Sequence, residues 1–281
     1  MDTVAEAVTN KRTKNDAHLA YDEQGCALIG KDMELRCDFA HMISRLAPDR
    51  LARELLVRAA KVKGVEKPVA IDATAGFGED AFLLAAAGFK VFMYERDPMI
   101  AALLRDGLVR GAKDERLAQV VSRMTLVEED SIVALNFHAQ SAATASLDIA
   151  NPDVSSPATF GLGASNLGGI NSSVVSLGIS NLSAHNPATL KPDVIYLDPM
   201  FPARTKSAAV KKKFQLLHEL ASPCTQDEAS ELLSAAIAAA PRKVVVKRPV
   251  HGEYLAGIKP SYTIAGKSIR YDCIIPANCK R

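Results

Sequence analysis

Short apolar runs alternate with amphipathic stretches along most of the chain. Runs rich in β-branched and aromatic residues predict buried strands, whereas apolar residues at intervals of three and four predict helices. Strands are predicted at residues 69–71, 90–94, 124–127, 194–197 and 243–247. Helices are predicted at residues 81–87, 97–111, 214–220 and 226–240. Strands and helices that alternate at this spacing indicate a doubly wound, mostly parallel α/β sheet.

The two ends of the chain show different patterns. Residues 261–265 and 268–272 predict an antiparallel hairpin that completes the sheet. Residues 18–37 hold short alternating runs separated by turn residues, which predict a small antiparallel unit. Residues 45–63 have apolar positions at helical spacing with six Arg and Lys residues among them, which predicts a helix with a solvated basic face. We therefore expect a small α+β extension at residues 1–64 and a main domain at residues 65–281.

Residues 138–190 interrupt the main domain. This stretch is rich in Ser, Ala, Asn and Gly, and its only acidic or basic residues are Asp148 and Asp153, apart from histidines. A long segment of this composition between two elements predicts a poorly ordered, low-complexity insertion. None of its residues is a candidate for chemistry.

Composition limits the classes of protein to consider. Hydrophobic residues make up 48% of the 281 residues and charged residues 23%, as in ordinary soluble domains. Five scattered cysteines without a Cys-x-x-Cys pair argue against a disulfide framework or a zinc site. No apolar signal segment opens the chain, and no stretch approaches the roughly 18 apolar residues of a membrane span. We expect a cytoplasmic protein that binds neither membrane nor metal. Since the net charge is only +2, a nucleic acid would need a local basic patch.

The turn after the first strand of the main domain contains the first candidate site. Gly76 and Gly78 lie there, where glycine lets the backbone approach a ligand closely. Three carboxylates flank the glycines: Asp72 precedes them, and Glu79 and Asp80 follow. Such a cluster would repel a pyrophosphate and suits a ligand that carries an amino group and a sulfonium.

The next two strands also end on acidic residues. Glu95 is placed to accept hydrogen bonds from both hydroxyls of an adenosine ribose, as an acidic residue does for NAD. Asp130 and Ser131 follow the third strand, where an adenine amine would be recognised. Because the carboxyl ends of parallel strands meet at one edge of a sheet, these positions should converge on one crevice.

The strand at 194–197 ends in a stiff turn, which we call the lip: Asp198-Pro199-Met200-Phe201-Pro202. Its prolines lack N–H groups and fix φ, so the strand cannot continue. The Asp198 carboxylate and the Pro199 carbonyl can accept hydrogen bonds from the exocyclic amine of a nucleobase, while the Phe201 ring stacks on the base. The lip therefore predicts a catalytic site, although an Asp-Pro turn that merely ends a strand has the same residues.

Basic residues cluster near the lip. Five of the ten residues from 204 to 213 are Lys or Arg, and two more end the fifth strand. Such residues can hold the phosphates of an RNA. The candidate RNA-binding residues are Arg204, Lys206, Lys211, Lys212, Lys213, Lys247 and Arg248.

In these segments the chain resembles the class I S-adenosylmethionine-dependent methyltransferases, and specifically the small-subunit ribosomal RNA guanine-N2 methyltransferase J family. The segments that carry the resemblance are 72–82, 95–98, 197–208 and 244–249. The resemblance implies a Rossmann-like fold, S-adenosylmethionine as cofactor, and 16S ribosomal RNA or the small ribosomal subunit as partner. The cofactor contacts that it implies are Glu79, Asp80, Glu95, Arg96, Asp130, Ser131 and Asp198.

The residues alone leave other functions open. The same lip serves N6-adenine and other exocyclic-amine methyltransferases that act on RNA or DNA. An NAD-dependent oxidoreductase is a more remote alternative, which the carboxylates of the first turn and the terminal hairpin disfavour. A catalytically idle RNA-binding module would not need an intact lip.

Overall fold

The computed structural model describes residues 17–30, 33–149, 191–199 and 224–277. The predicted helix at 214–220 and the lip beyond Pro199 lie outside the described residues, as does most of the predicted insertion. Ten strands lie within them: β1 (His18–Asp22), β2 (Gly25–Gly30), β3 (Met33–Leu35), β4 (Val69–Asp72), β5 (Lys90–Tyr94), β6 (Met124–Val127), β7 (Val194–Leu197), β8 (Lys243–Pro249), β9 (Tyr262–Ala265) and β10 (Ile269–Ile274).

Seven of these strands form the central sheet, in the order β6-β5-β4-β7-β8-β10-β9. The first five run parallel, with Asp72 of β4 opposite Met93 of β5 on one side and Tyr196 of β7 on the other. β10 pairs antiparallel with both β8 and β9. The predicted doubly wound sheet and its terminal hairpin are confirmed.

Helices cover both faces of the sheet, so alternate strand residues are buried on opposite sides. On one face lie α1 (Pro48–Leu51), α2 (Leu55–Ala60), α3 (Glu79–Ala86), α4 (Pro98–Lys113) and α5 (Ala118–Val121), and on the other α6 (Ser131–Ile149) and α7 (Gln226–Ala238). Ala70 and Tyr196 face the first layer, whereas Ile71 and Ile195 face the second. This two-sided burial explains why the parallel strands are almost wholly apolar.

The helices α4 and α7 begin at side-chain caps. The Asp97 carboxylate accepts hydrogen bonds from the N–H groups of Met99 and Ile100, and Pro98 occupies the first helical position of α4, as predicted. Thr225 and Glu228 form a reciprocal capping box at the start of α7. These caps fix α4 directly after β5 and place the first turn of α7 close to the same edge of the sheet.

The predicted N-terminal extension packs into the same hydrophobic core as the central sheet. β1, β2 and β3 form a separate antiparallel sheet, with Cys26 and Leu28 fully buried. Phe39 is buried as well, and its ring stacks on that of Phe82 with centroids 5.1 Å apart. A Cβ added to Gly107 of α4 would lie only 2.6 Å from the Cys37 sulfur, so the extension and α4 are in close contact.

Two sequence predictions differ from the structure. Residues 45–63 do not form one helix. Ala47 precedes a proline and is not helical, so α1 begins only at Pro48, and the non-helical backbone of Glu54 separates α1 from α2. Arg45 and Glu54 form an ion pair with Nε and Oε1 2.6 Å apart. Residues 138–149, assigned above to the insertion, continue α6. Their composition, poor in charge, is compatible with helix as well as with loop.

Candidate active site

Four acidic residues lie at the carboxyl ends of four adjacent parallel strands. Asp72 ends β4, and Glu95, Asp130 and Asp198 follow β5, β6 and β7. The sheet order places these four strands side by side, so the carboxylates line one edge of the sheet. This acidic edge is where an open α/β sheet binds its ligands.

The loop between β4 and α3 approaches this edge closely. Gly76 and Gly78 have φ values of +53° and +71°, a conformation that glycine adopts at low cost. A Cβ at Gly78 would also lie 2.8 Å from Leu104, so this position has no room for a side chain. The loop amide of Gly76 donates a hydrogen bond to the Glu95 carboxylate over 3.0 Å.

The Glu95 carboxylate connects the β4–α3 loop to the start of α4 through hydrogen bonds. One of its oxygens accepts the Gly76 amide and the other accepts the Asp97 amide, at 3.0 and 2.9 Å. Burial raises the pKa of Glu95, and the two amides partly oppose that shift. The carboxylate is therefore held rigidly in place at the edge, and each oxygen keeps a lone pair for further hydrogen bonds.

Asp130 and Arg96 form a second polar group at the edge. Asp130 accepts the Ile132 amide with one oxygen and the Arg96 guanidinium with the other, at 2.8 and 3.2 Å. Arg96 also lies 3.5 Å from the Glu228 carboxylate of α7. Arg96 thus links β5, β6 and α7, and Ser131 begins α6 beside this group.

Asp80, Lys247 and Asp198 form a line of ion pairs across the acidic edge. The Lys247 Nζ lies 2.8 Å from Asp80 Oδ2 and 2.9 Å from Asp198 Oδ2. The Tyr196 hydroxyl donates to the same Asp80 oxygen over 2.6 Å. The Lys247 ammonium, which the sequence predicts to contact RNA phosphates, is thus bound between two carboxylates. Arg248 donates from Nε to the Glu253 carbonyl, and burial lowers its pKa.

Sequence reasoning missed two residues at the site. Thr74 accepts the Asp198 amide on its hydroxyl oxygen over 2.7 Å, and its own amide donates to Asp72. His41, in the 3-10 helix Ala40–Arg45 of the extension, has Nε2 3.4 Å from Glu79 Oε1. The position of Thr74 in a glycine-containing turn is a weak indication that it belongs to the site. Nothing in the sequence pattern distinguishes His41.

Asp72 is buried under the loop, with only 1% of its surface exposed. Burial raises its pKa to about 8, and the Thr74 amide opposes that shift while Asp80 and Asp198 add to it. Asp72 is therefore largely protonated at neutral pH, and it holds the loop through the hydrogen bond from the Thr74 amide. Its protonation state depends on the charge of whatever occupies the edge.

We expect this buried carboxyl to make stability fall as pH rises. The folded pKa of Asp72 lies above its ordinary value of 3.8, so the folded state binds more protons between about pH 4 and pH 8. Asp72→Asn, which has no titrating carboxyl there, should show a flatter profile, with a difference in slope of up to about 1.4 kcal/mol per pH unit. Urea unfolding of both proteins at pH 5, 6, 7 and 8 measures the two slopes, and equal slopes would contradict the assignment.

The polar groups at the acidic edge indicate the kind of cofactor that fits there. Carboxylates predominate, and Lys247 is already neutralised by two of them. Such an edge suits a ligand with an ammonium, a sulfonium and ribose hydroxyls, and disfavours the pyrophosphate of a dinucleotide. Among the described residues, no group of three or more His, Cys, Asp or Glu side chains could hold a metal ion.

Of the remaining predicted site residues, one lies within the described residues and six lie outside them. Pro199 is buried directly after Asp198. The outlying predictions are Phe201, Arg204, Lys206, Lys211, Lys212 and Lys213. No helix among the described residues is long and apolar enough to cross a membrane.

Comparisons with known proteins identify a family and relatives of this chain. Residues 6–159 and 167–276 match the family described as "Putative SAM-dependent methyltransferase". The chain is 40% identical over 234 residues to ribosomal RNA small subunit methyltransferase J of Thioalkalivibrio sulfidiphilus, which covers 82% of this chain and 71% of the relative. It is 34% identical over 256 residues to the protein of the same name from Neisseria meningitidis, which covers 91% and 82%.

A solved structure supports the fold. The SAM-dependent methyltransferase from Neisseria gonorrhoeae superposes with a TM-score of 0.62 at 24% identity, covering 96% of this chain and 86% of that one. At this identity the likeness concerns the architecture alone. The sheet and its flanking helices thus follow an arrangement known from a methyltransferase.

Proposed function

The chain belongs to the ribosomal RNA small subunit methyltransferase J family, and on that premise we propose that it methylates the exocyclic N2 amine of a guanine in 16S ribosomal RNA. It is an S-adenosylmethionine-dependent methyltransferase. The names of the relatives suggest the ribosomal RNA, and the family resemblance suggests the guanine. The observation that carries the proposal is the Asp198 carboxylate at the end of β7, beside an edge suited to a cationic cofactor.

The acidic edge gives each cofactor group a partner in this proposal. Glu95 would accept the ribose hydroxyls, and Asp130 and Ser131 would contact the adenine. Glu79, Asp80 and the loop at Gly76 and Gly78 would face the cationic end, with Arg96 holding Asp130 in place. When bound, S-adenosylmethionine supplies a methyl group on a positively charged sulfur.

The lip orients the substrate amine. A guanine N2 amine is a poor nucleophile because its lone pair is delocalised into the ring. The Asp198 carboxylate and the Pro199 carbonyl would accept its N–H hydrogen bonds, increase electron density on nitrogen and aim the lone pair. Asp198 would also accept the proton that this nitrogen loses once it is methylated.

The substrate base must reach this edge unpaired. A base inside a helix would have to be flipped out, at a cost of a few kcal/mol. Stacking on Phe201 would offset about 1–3 kcal/mol of this cost.

The basic residues from Arg204 to Lys213, with Arg248, would hold the RNA phosphates in this proposal. We place the reaction in the cytoplasm. We also propose that residues 1–64 form the extension and residues 65–281 the catalytic domain.

Methyl transfer from labelled S-adenosylmethionine tests the function directly. The substrates are naked 16S RNA and small subunits that lack the modification, and the products are digested to nucleosides. We expect label in N2-methylguanosine. Label in N6-methyladenosine would retain the lip chemistry but overturn the base assignment, and absence of label with intact cofactor binding would refute the RNA substrate.

A further inference from the structure

Lys247 occupies a position that neither cofactor binding nor RNA binding explains. Its ammonium is within hydrogen-bonding distance of Asp80 and Asp198, and only a quarter of its side chain is exposed. An RNA phosphate at this ammonium would lie beside two carboxylates, which would repel it. The contact with Asp198 is the one that matters chemically, because Asp198 is the residue that faces the substrate amine in the proposed function.

The surroundings of Lys247 are rich in acidic groups. The titratable or charged groups that face it or its partners are Asp72 from β4, Asp80 from α3, Tyr196 from β7, Asp198 directly after β7, Arg248 beside it on β8 and Tyr271 from β10. Burial raises the pKa of Asp198, and Lys247 is the strongest group that opposes this shift. Burial lowers the pKa of Lys247 itself, but Asp80 and Asp198 more than reverse this, so the ammonium stays charged.

A second carboxylate holds the ammonium in place. Asp80 Oδ2 binds both Lys247 and the Tyr196 hydroxyl, and Tyr196 is almost completely buried. The strand positions are fixed as well, because Leu197 pairs with Val246 and Tyr271 pairs with Lys247 in the sheet. The backbone at both ends of the contact between Lys247 and Asp198 is therefore held by the sheet.

We propose that Lys247 is a positioning residue, which keeps Asp198 ionised and holds its carboxylate in place for the substrate amine, with Asp80 and Tyr196 fixing Lys247 in turn. The inference rests on the proposed function, since it assigns Asp198 the role of hydrogen-bond and proton acceptor. An ionised carboxylate is required there, because a protonated one could neither accept the proton nor polarise the amine as strongly. The ammonium itself contacts neither the reacting nitrogen nor the methyl group.

The test compares Lys247→Met, Lys247→Gln and Lys247→Arg with wild type in the methyl-transfer assay across pH 5 to 9. We expect kcat at pH 7 to fall about 100-fold in the two neutral variants, as for a misplaced catalytic group. The acidic limb of the kcat profile should move up by about one pH unit or more, because the opposite charge beside Asp198 is lost. KM for RNA should change little, and Lys247→Arg should restore the position of the limb.

Lys243→Met is the matched control on the same strand. Its ammonium is buried but donates to the carbonyls of Ala59 and Lys61. We expect lower stability in this variant without a shift of the acidic limb. A similar shift in both variants, or a pH-independent loss in Lys247→Met that Lys247→Arg does not restore, would overturn the proposal.

Carbon-13 NMR separates this inference from the proposed function. The carboxyl signal of Asp198, assigned with Asp198→Asn, reports its pKa without any substrate. We expect that pKa to be at least about one unit higher in Lys247→Gln than in wild type. An unchanged pKa would overturn the inference even if RNA is methylated. A raised pKa in a protein whose wild type does not methylate RNA would refute the proposed function and leave the lysine contact established.

Discussion

Asp198→Ala should abolish methyl transfer, with kcat at least about 1,000-fold below wild type, within the range known for positioned acid–base groups. The reason is that the variant lacks both the oxygen that orients the substrate amine and the acceptor for its proton. The fold should persist, since the Asp198 amide, and not its side chain, makes the hydrogen bond to Thr74. Single-turnover transfer from labelled cofactor measures the chemical step, and calorimetry with S-adenosylhomocysteine checks that the cofactor site remains.

Asp193→Asn is the matched control for this variant. Asp193 precedes β7 at its opposite end, where it accepts the Val69 amide and pairs with Arg242. We expect this variant to keep near-normal turnover with a modest loss of stability. If Asp198→Ala turned over as fast as Asp193→Asn, the proposed role of the lip would be untenable.

Gly78→Ala should cost about 2–5 kcal/mol of folding free energy. Part of this comes from a left-handed backbone that disfavours a Cβ, and part from overpacking. The Cβ would lie 2.8 Å from Leu104, which is fully buried and cannot move aside freely. Since Gly78 begins α3 at the acidic edge, cofactor affinity should fall as well. Urea unfolding and calorimetric titration measure the two effects.

Gly88→Ala separates the packing contribution from the backbone contribution. Gly88 also has a positive φ, +98°, but no atom lies within 4 Å of its added Cβ. We expect a smaller loss of stability, about 1–2 kcal/mol, from the backbone alone, and unchanged cofactor affinity. Equal losses in the two variants would show that contact with Leu104 contributes nothing.

The sequence by itself determined the sheet and the residues at its edge. Runs such as Val194–Leu197 are buried on both sides, and an apolar run of that kind has few alternatives to a central parallel strand. A carboxylate directly after such a strand must lie at its carboxyl end, so the sequence places Glu95, Asp130 and Asp198 at one edge. The terminal hairpin and the cap of α4 by Asp97 follow from local patterns in the same way.

Only the tertiary structure decided which of these groups touch. Asp80 and Lys247 are separated by 167 positions in the chain, and their contact depends on β7 lying between β4 and β8. Periodicity reports burial along one element and carries no information on strand order, so it cannot predict that Lys247 lies between Asp80 and Asp198 or that Thr74 binds the Asp198 amide. The helical pattern of residues 45–63 likewise gives no sign of the break at Glu54, whose backbone is non-helical and whose carboxylate pairs with Arg45. The sequence therefore predicts which acidic residues lie at the edge. The pairing of their charges with Lys247 depends on strand order and register, which only the tertiary structure shows.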